Sequence, residues 1–364
     1  MSITLRAAMV LAVWAVAGCG SHDRTPTVPE YRVTSDTAAL NVPVGPIALP
    51  LSTYDGSGET VHPDFAAPRS PWKHRLFYLA LTPYPAGATY YENPSLYASL
   101  DGVRWSGAPR APMPLVKPRN GHLSDPDLVH ASVRGELFLY YRQVSDSDRV
   151  FLMRSADGAQ WSRSRQLFAT KRYASLSPAV VRRAKDDWWM WSVDARSGCN
   201  DRTAQVTLRR STDGIAWSDP APAELGAPSL LYPWHLDVQW IPERGEFWAL
   251  YPVKAPETCA TTALFLATSR NGVTWRTLPT PVLIAGTIRE LSHIVYRSTF
   301  SYDARTDMVA LWLSGARLEG EGRFRWRTVA FRRPRLALFA DLAAAQHRPV
   351  PIAPRRVRTA FTPP

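Results

Sequence analysis

Four segments of the chain share the pattern Ser-x-Asp/Asn-Gly-x-x-Trp, at Ser99–Trp105, Ser155–Trp161, Ser211–Trp217 and Ser269–Trp275. Their tryptophans lie 56, 56 and 58 residues apart. A fixed period of this size marks a fold built from repeated supersecondary units. Asp-Gly or Asn-Gly favours a tight hairpin, expected here to be a type I′ turn with positive φ at both central residues. The Ser and Asp side chains can satisfy backbone groups inside the turn. The Trp then packs back between neighbouring units, so the boxes are read as structural.

Each unit opens with a strand that begins polar and turns apolar. These starts are His62–Phe65, Ser124–Val129, Leu176–Val180, His235–Val238 and Tyr296–Phe300. A second strand follows each, ending near Pro85, Arg142, Ala195, Pro252 and Gly315. Five units of roughly four strands each have the size of propeller blades. The expected fold class is therefore all-β, a five-bladed β-propeller over 46–345. The fifth unit lacks the box and runs through Phe324–Val329 to a short helix around Leu336–Ala345. Composition agrees: 32 Pro and 14 Trp suit many short strands and turns. With 45% hydrophobic and 20% charged residues, wholesale disorder is excluded.

The formal net charge of +12 comes almost wholly from Arg, because Lys occurs only at Lys73, Lys117, Lys171, Lys185 and Lys254. A basic chain invites a nucleic-acid reading, but the N-terminus argues against it. Arg6 precedes an apolar run, Ala7–Ala17, too short to span a bilayer. The run ends Val16-Ala17-Gly18-Cys19, which resembles a bacterial lipobox. The resemblance implies cleavage before Cys19 and lipidation of its thiol, and Gly20 resembles the residue at that place in outer-membrane-sorted lipoproteins. Residues 1–19 are thus expected as a signal peptide, 20–45 as a flexible tether and 346–364 as a Pro/Arg-rich tail. The expected protein is a monomer lipid-anchored in the cell envelope, at the outer membrane or its periplasmic face, with no nucleic-acid partner.

Naming the strands A to D from the axis outward puts the start of every strand A and every B–C loop on one face. The boxes, as C–D turns, lie on the other. Cys199 lies 18 residues before Trp217, and Cys259 lies 16 before Trp275. They occupy equivalent B–C loops of adjacent blades, which favours a disulfide over two buried thiols in an oxidising compartment.

Strand A starts converge on the axis, where charged groups are costly unless paired or used. Asp64, Asp125, Asp127, His235 and Asp237 fall there, with Arg297 at the same place in blade five. Asp125 and Asp127, two apart, can project to one side of their strand. Tyr91 and Glu92 lie at the start of strand C in blade one, and Glu290 lies on the loop entering blade five. Trp234 is expected as an aromatic platform for a sugar ring, and Arg142 as a substrate contact. The eight His are scattered, so no dedicated metal site and no cofactor is expected, although Asp side chains and water could hold a cation in the channel.

On His62-Pro63-Asp64, Thr82–Pro85, Tyr91–Pro94, Ser124–Asp127 and the boxes, the chain resembles the five-bladed propeller glycoside hydrolases of the family-43 type. The resemblance implies Asp64 as general base and Asp127 or Asp125 as the residue that tunes and positions the acid. The general acid of that group sits in blade three, where this chain has Ser175–Pro178 and no carboxylate; Glu290, Asp237 or Glu92, from another blade, are the candidate replacements. The implied function is a glycosidase acting on an extracellular oligo- or polysaccharide. The alternative is a glycan-binding lipoprotein without catalysis. Substrate contacts are expected from Asp125, Glu92, Tyr91, Arg142, Trp234, His235, Asp237 and Arg297.

Overall fold

The computed structural model describes residues 40–68, 76–131, 135–228 and 230–344. The expected signal peptide with Cys19, most of the tether and the C-terminal tail lie outside the described residues. Five antiparallel sheets are arranged as the blades of a propeller. Blade one comprises Thr60–Ala66, Phe77–Pro83, Ser95–Ser99 and Ser106–Gly107; blade two comprises His122–Ala131, Glu136–Val144, Ser147–Ser155 and Arg165–Lys171. Blade three comprises Leu176–Ala184, Asp187–Asp194, Gln205–Ser211 and Ala221–Ala223. In blade four the innermost and outermost strands are both split: strand A into Tyr232–Pro233 and Asp237–Ile241, strand D into Arg276–Thr277 and Leu283–Ile284, around Glu246–Lys254 and Thr261–Ser269. Blade five takes Ile294–Asp303, Met308–Leu318 and Phe324–Pro334 from the end of the chain.

The outer strand of blade five comes from the other end. Ile47 pairs with Ala330 and Ala48 with Val329, so the ring is closed by hydrogen bonds between the first and last strands. This explains the missing fifth box: blade five has no continuous C–D turn for one to staple. Closure also removes the exposed edge that an open array would present. The chain packs on the propeller from its first described residues, since Val42 is fully buried and Asn41 N–H bonds Asp101 O at 2.8 Å.

Each box is held by its own side chains. In blade one, Ser99 Oγ accepts from Gly102 N–H at 2.9 Å, and Asp101 Oδ1 accepts from Val103 and Arg104 N–H at 2.9 and 2.8 Å. Only the glycines have positive φ, +70° to +75° in all four boxes, so the turns are not type I′ as expected. The side-chain staple replaces the second left-handed residue. The glycine is needed twice. A Cβ on Gly102 would come within 2.7 Å of Leu40, and one on Gly272 within 2.5 Å of Trp189. The glycine carbonyl also ties blades together. Gly102 O accepts the indoles of Trp105 at 3.0 Å and of Trp312, from blade five, at 3.1 Å. Gly272 O accepts from Trp275 and from Trp191 of blade three, and Gly214 O accepts from Tyr140 Oη of blade two. Apolar clusters fill the space between adjacent sheets, the largest joining blades three and four around Trp191, Phe247 and Tyr251.

Cys199 and Cys259 form the disulfide expected from their equivalent loops. It links the B–C loops of blades three and four on the face where the A strands begin.

Candidate functional site: a two-layered axial channel

The start of strand A is interrupted in every blade. Register shifts fall between Val61 and Asp64, Ser124 and Asp127, Leu176 and Ala179, and Val295 and Ser298. In blade four the strand breaks at Trp234–Leu236. In blades one to three the interruption carries a proline, Pro63, Pro126 or Pro178, which has no N–H to lose from the ladder. The residue before it is left-handed: His62, Asp125 and Ser177 have φ of 54°, 51° and 48°. Non-glycine residues rarely adopt this conformation, and such strain gathers at functional sites. The result is two residues per blade at the axis, two positions apart.

The first layer is His62, Asp125, Ser177, His235 and Arg297; the second is Asp64, Asp127, Ala179, Asp237 and Thr299. All are buried. In the first layer Asp125 Oδ1 lies 3.5 Å from His62 Nε2 and 3.2 Å from His235 Nδ1, and accepts from Ser177 Oγ at 3.1 Å. Its Oδ2 meets Arg142 Nε at 3.0 Å, and Arg142 Nη1 is held by Asp148 at 3.3 Å. His62 Nδ1 lies 3.2 Å from Thr82 Oγ1, and His235 Nδ1 lies 2.6 Å from Ser177 Oγ. The Nε2 atoms of both imidazoles are buried without a hydrogen-bond partner.

Burial drives both imidazoles below their ordinary pKa, so they are neutral. Burial alone would raise Asp125, but the Arg142 guanidinium and the hydrogen bonding of the His235 side outweigh it and hold the carboxyl well below the usual range. Two neutral imidazoles and one ionised carboxylate, offering ligand atoms within 4.8 Å of one another, suit a divalent transition metal and leave positions open for water and substrate. The orphaned Nε2 atoms fit this reading: with the Nδ1 proton directed at a hydroxyl, Nε2 presents its lone pair. The fold thus makes a candidate metal centre from histidines that look scattered in the sequence.

Glu92 flanks the first layer. Its Oε1 lies 3.6 Å from His62 Nδ1 and its Oε2 lies 3.7 Å from His122 Nε2. Burial, then the charge of Asp125, raises its pKa well above the ordinary value. Burial lowers His122 to about 4. His122 is the more exposed member of the group: its side chain is 20% exposed, against 2% for His62 and His235. Tyr296 packs on both imidazoles, its ring 4.4 Å from that of His235 and 5.4 Å from that of His62.

The second layer stitches blades together. Asp64 Oδ2 accepts from Leu128 N–H of blade two at 2.6 Å, and Asp127 Oδ2 from Val180 N–H of blade three at 3.0 Å. Phe65 N–H of blade one bonds Thr299 Oγ1 of blade five. Arg297 reaches down among the acids, 3.2 Å from Asp127 and 3.7 Å from Asp64, and donates to the carbonyls of Pro126 and Leu236. Burial raises Asp64 and Asp237, and lifts Asp127 to about 8, against the pull of Arg297.

These positions revise several expected roles. Asp64 and Asp127 are not a pair flanking a glycosidic oxygen: with Asp237 they lie sealed beneath the first layer, their oxygens within 4.8 Å, closer than the ~6.5–9.5 Å that admits an attacking water. Glu290 is half-buried in the turn Arg289–Leu291, and no hydrogen bond or ion pair among the described residues joins it to the channel. Arg142 and Arg297 are buried with carboxylate partners, so neither is free to grip a substrate. Trp234 is 3% exposed; it bonds Tyr296 Oη at 3.3 Å and backs the His235 wall rather than offering a platform. Asp125, His235 and Glu92 come together as a chemical group, and Tyr91 sits half-buried beside Glu92. His62, His122, Ser177 and Tyr296 belong to this group too. The signal that carried three of the five first-layer positions is the x-Pro-x start shared by blades one to three.

No protein-family model matches the chain. The A type blood N-acetyl-α-D-galactosamine deacetylase of Flavonifractor plautii is 28% identical over 322 residues, covering 74% of this chain. The chain spans 41% of that relative's length. The crystal structure of an N-acetylgalactosamine deacetylase from F. plautii, in complex with blood group B trisaccharide, matches with a TM-score of 0.75 at 24% identity, over 85% of this chain and 100% of that one. A thermostable family-43 glycoside hydrolase matches with a TM-score of 0.55 at 11% identity, over 80% and 91% of the two chains. An α-L-arabinofuranosidase of Fusarium graminearum matches with 0.53 at 11%, over 75% and 93%. This chain shares their five-bladed fold.

Proposed function

We propose that the protein is a carbohydrate-active, metal-dependent deacetylase that hydrolyses the acetamide of N-acetylated sugars in glycans. The observation that carries this reading is the buried trio His62, Asp125 and His235, with both Nε2 atoms unpartnered and Glu92 beside them. The deacetylase relative supports it. A divalent cation bound there would polarise the acetamide carbonyl and lower the pKa of water.

The chain's own residues supply the proton path. Glu92 takes a proton from water as its oxygen bonds the acetyl carbon, and passes that proton to the sugar nitrogen as the C–N bond breaks. Acetate and the free amine leave. One carboxyl serves both steps when its pKa is raised, and burial raises that of Glu92. His122, neutral at pH 7, lies 3.7 Å from the other carboxyl oxygen. Arg142, anchored by Asp148, fixes Asp125 Oδ2 and turns Oδ1 towards the imidazoles.

The test is to incubate the full chain with oligosaccharides bearing N-acetylhexosamines and follow acetate and new reducing ends together. Acetate release that stops with a chelator and returns with Zn²⁺, Mn²⁺ or Co²⁺, without new reducing ends, is the expected result. New reducing ends without acetate would mark a glycosidase instead; binding with neither product would mark a glycan-binding protein. The reading extends to location, as a monomer attached to the cell envelope through Cys19. The lipobox-like Val16–Cys19 supports this, as does the Cys199–Cys259 disulfide, a bond that persists in oxidising compartments.

A further inference from the structure

The B–C loop of blade one carries Glu92 on the short turn that follows Thr89–Tyr91. Two positions before Glu92 stands Tyr90, 72% exposed and the only aromatic ring in the exposed class among the described residues. A lone exposed tyrosine on a mobile loop needs no explanation. This one is braced. Glu92 N–H bonds Thr89 O at 2.9 Å, and Asn93 N–H bonds Tyr91 O at 2.7 Å. Asn93 Nδ2 donates to Tyr54 Oη at 2.6 Å and to Tyr90 O at 3.3 Å, and Tyr54 Oη donates to Tyr91 O at 2.9 Å. The rings continue the bracing: Tyr90 stands edge-on to Tyr91 at 5.2 Å, and Tyr91 leans on Tyr54 at 6.4 Å. An apolar ring held rigidly in water is the geometry of a preorganised contact.

Its position says what it contacts. Glu92, 4% exposed, and His122, with a side chain 20% exposed, flank the centre between blades one and two, and Glu92 stands on the loop that carries Tyr90. A sugar whose acetamide reaches Glu92 therefore lies beside that loop. Axial C–H groups on one side of a pyranose ring form an apolar face that packs on an aromatic ring, while its hydroxyls stay in water. We propose that Tyr90 is the platform of a second sugar subsite at the mouth of the channel, so that the substrate is an oligosaccharide or polysaccharide and not a free amino sugar. This rests on the deacetylase reading for the identity of the first sugar, and on the loop geometry for the second.

The test compares a trisaccharide carrying a terminal N-acetylhexosamine with the free monosaccharide, by calorimetric or NMR titration of the full chain. Tyr90→Ala is expected to weaken the trisaccharide about tenfold, in line with an aromatic stacking contact, and to leave the monosaccharide unchanged. Tyr90→Phe, which keeps the ring, is expected to bind both as the unaltered chain does. An unaltered protein that binds both sugars equally, a Tyr90→Ala chain with unchanged trisaccharide affinity, or an equal loss for both sugars would overturn the subsite. Acetate release measured alongside separates the two readings. Tyr90-dependent binding without acetate leaves the subsite and removes the deacetylase; acetate release without Tyr90 dependence does the reverse.

Discussion

The two layers of the channel are built at the same strand position, two residues apart, yet they do opposite things. The second layer spends most of its polar groups on the fold: Asp64 and Asp127 accept backbone N–H groups from the next blade, and Arg297 fills the space among the acids. The first layer leaves ligand atoms unspent, with both imidazole Nε2 atoms making no hydrogen bond. Burial and charge alone do not separate a structural cluster from a reactive one, because both layers have them. What separates them is the nature of the atoms left without a hydrogen bond: in the second layer Asp64 Oδ1, which lies 3.7 Å from the Arg297 guanidinium, and in the first two neutral imidazole nitrogens.

The largest effect that would sharpen this contrast is expected in the first layer. His235→Ala should remove bound metal, read by elemental analysis, and lower acetate release at least about a thousandfold, the loss of several kcal/mol of transition-state stabilisation. Glu92→Gln should keep the metal and lower turnover by roughly 10²–10⁴. The unaltered enzyme should gain activity as pH rises through the raised pKa of Glu92, because the base must be ionised, and Glu92→Gln should flatten that limb. Metal retention with lost activity in His235→Ala would break the distinction between the layers.

In the second layer the expected effect is on folding. Arg297→Leu removes the cation from among three carboxyls and should destabilise the protein by about 3–5 kcal/mol at neutral pH. The sign with pH follows from the raised pKa values. The folded state holds more protons than the unfolded one, so this layer's contribution falls as pH rises from the ordinary carboxyl pKa, ~3.9, towards the value of about 8 for Asp127. Thermal melts of Arg297→Leu should therefore recover towards those of the parent on acidification. The smallest effect is expected for Asp64→Asn. Burial raises the pKa of Asp64, which favours a neutral side chain there, and an amide oxygen can still accept from Leu128 N–H, so the amide should change stability by under ~1 kcal/mol and leave acetate release within about twofold. Loss of activity without loss of stability would return Asp64 to the chemistry.

Much of the fold was legible because the boxes are local. Ser, Asp, Gly and Trp lie within seven residues, and their period sets the blade phase, which in turn paired Cys199 with Cys259. The strand that closes the ring was not legible: Ile47–Ala48 is two residues long and owes its place to Ala330 and Val329. The site was half legible. Counting carboxylates found Asp64, Asp125, Asp127 and Asp237, but not which layer each occupies, since that depends on bulges and left-handed residues before proline. Ser177 read as a gap where an acid was wanted, yet it bonds both Asp125 and His235. His62 and His235 looked unrelated because the circle that joins them exists only in three dimensions.

The union of Ile47–Ala48 with the final strand has a temporal consequence. Ile47–Ala48 must wait, unpaired, until the strand Phe324–Pro334 has been made, because its hydrogen-bonding partners are Ala330 and Val329. A ribosome-bound fragment can form individual sheets but cannot complete the circle that gathers five first-layer side chains. The five side chains of the first layer therefore come together only once the fifth blade has been made.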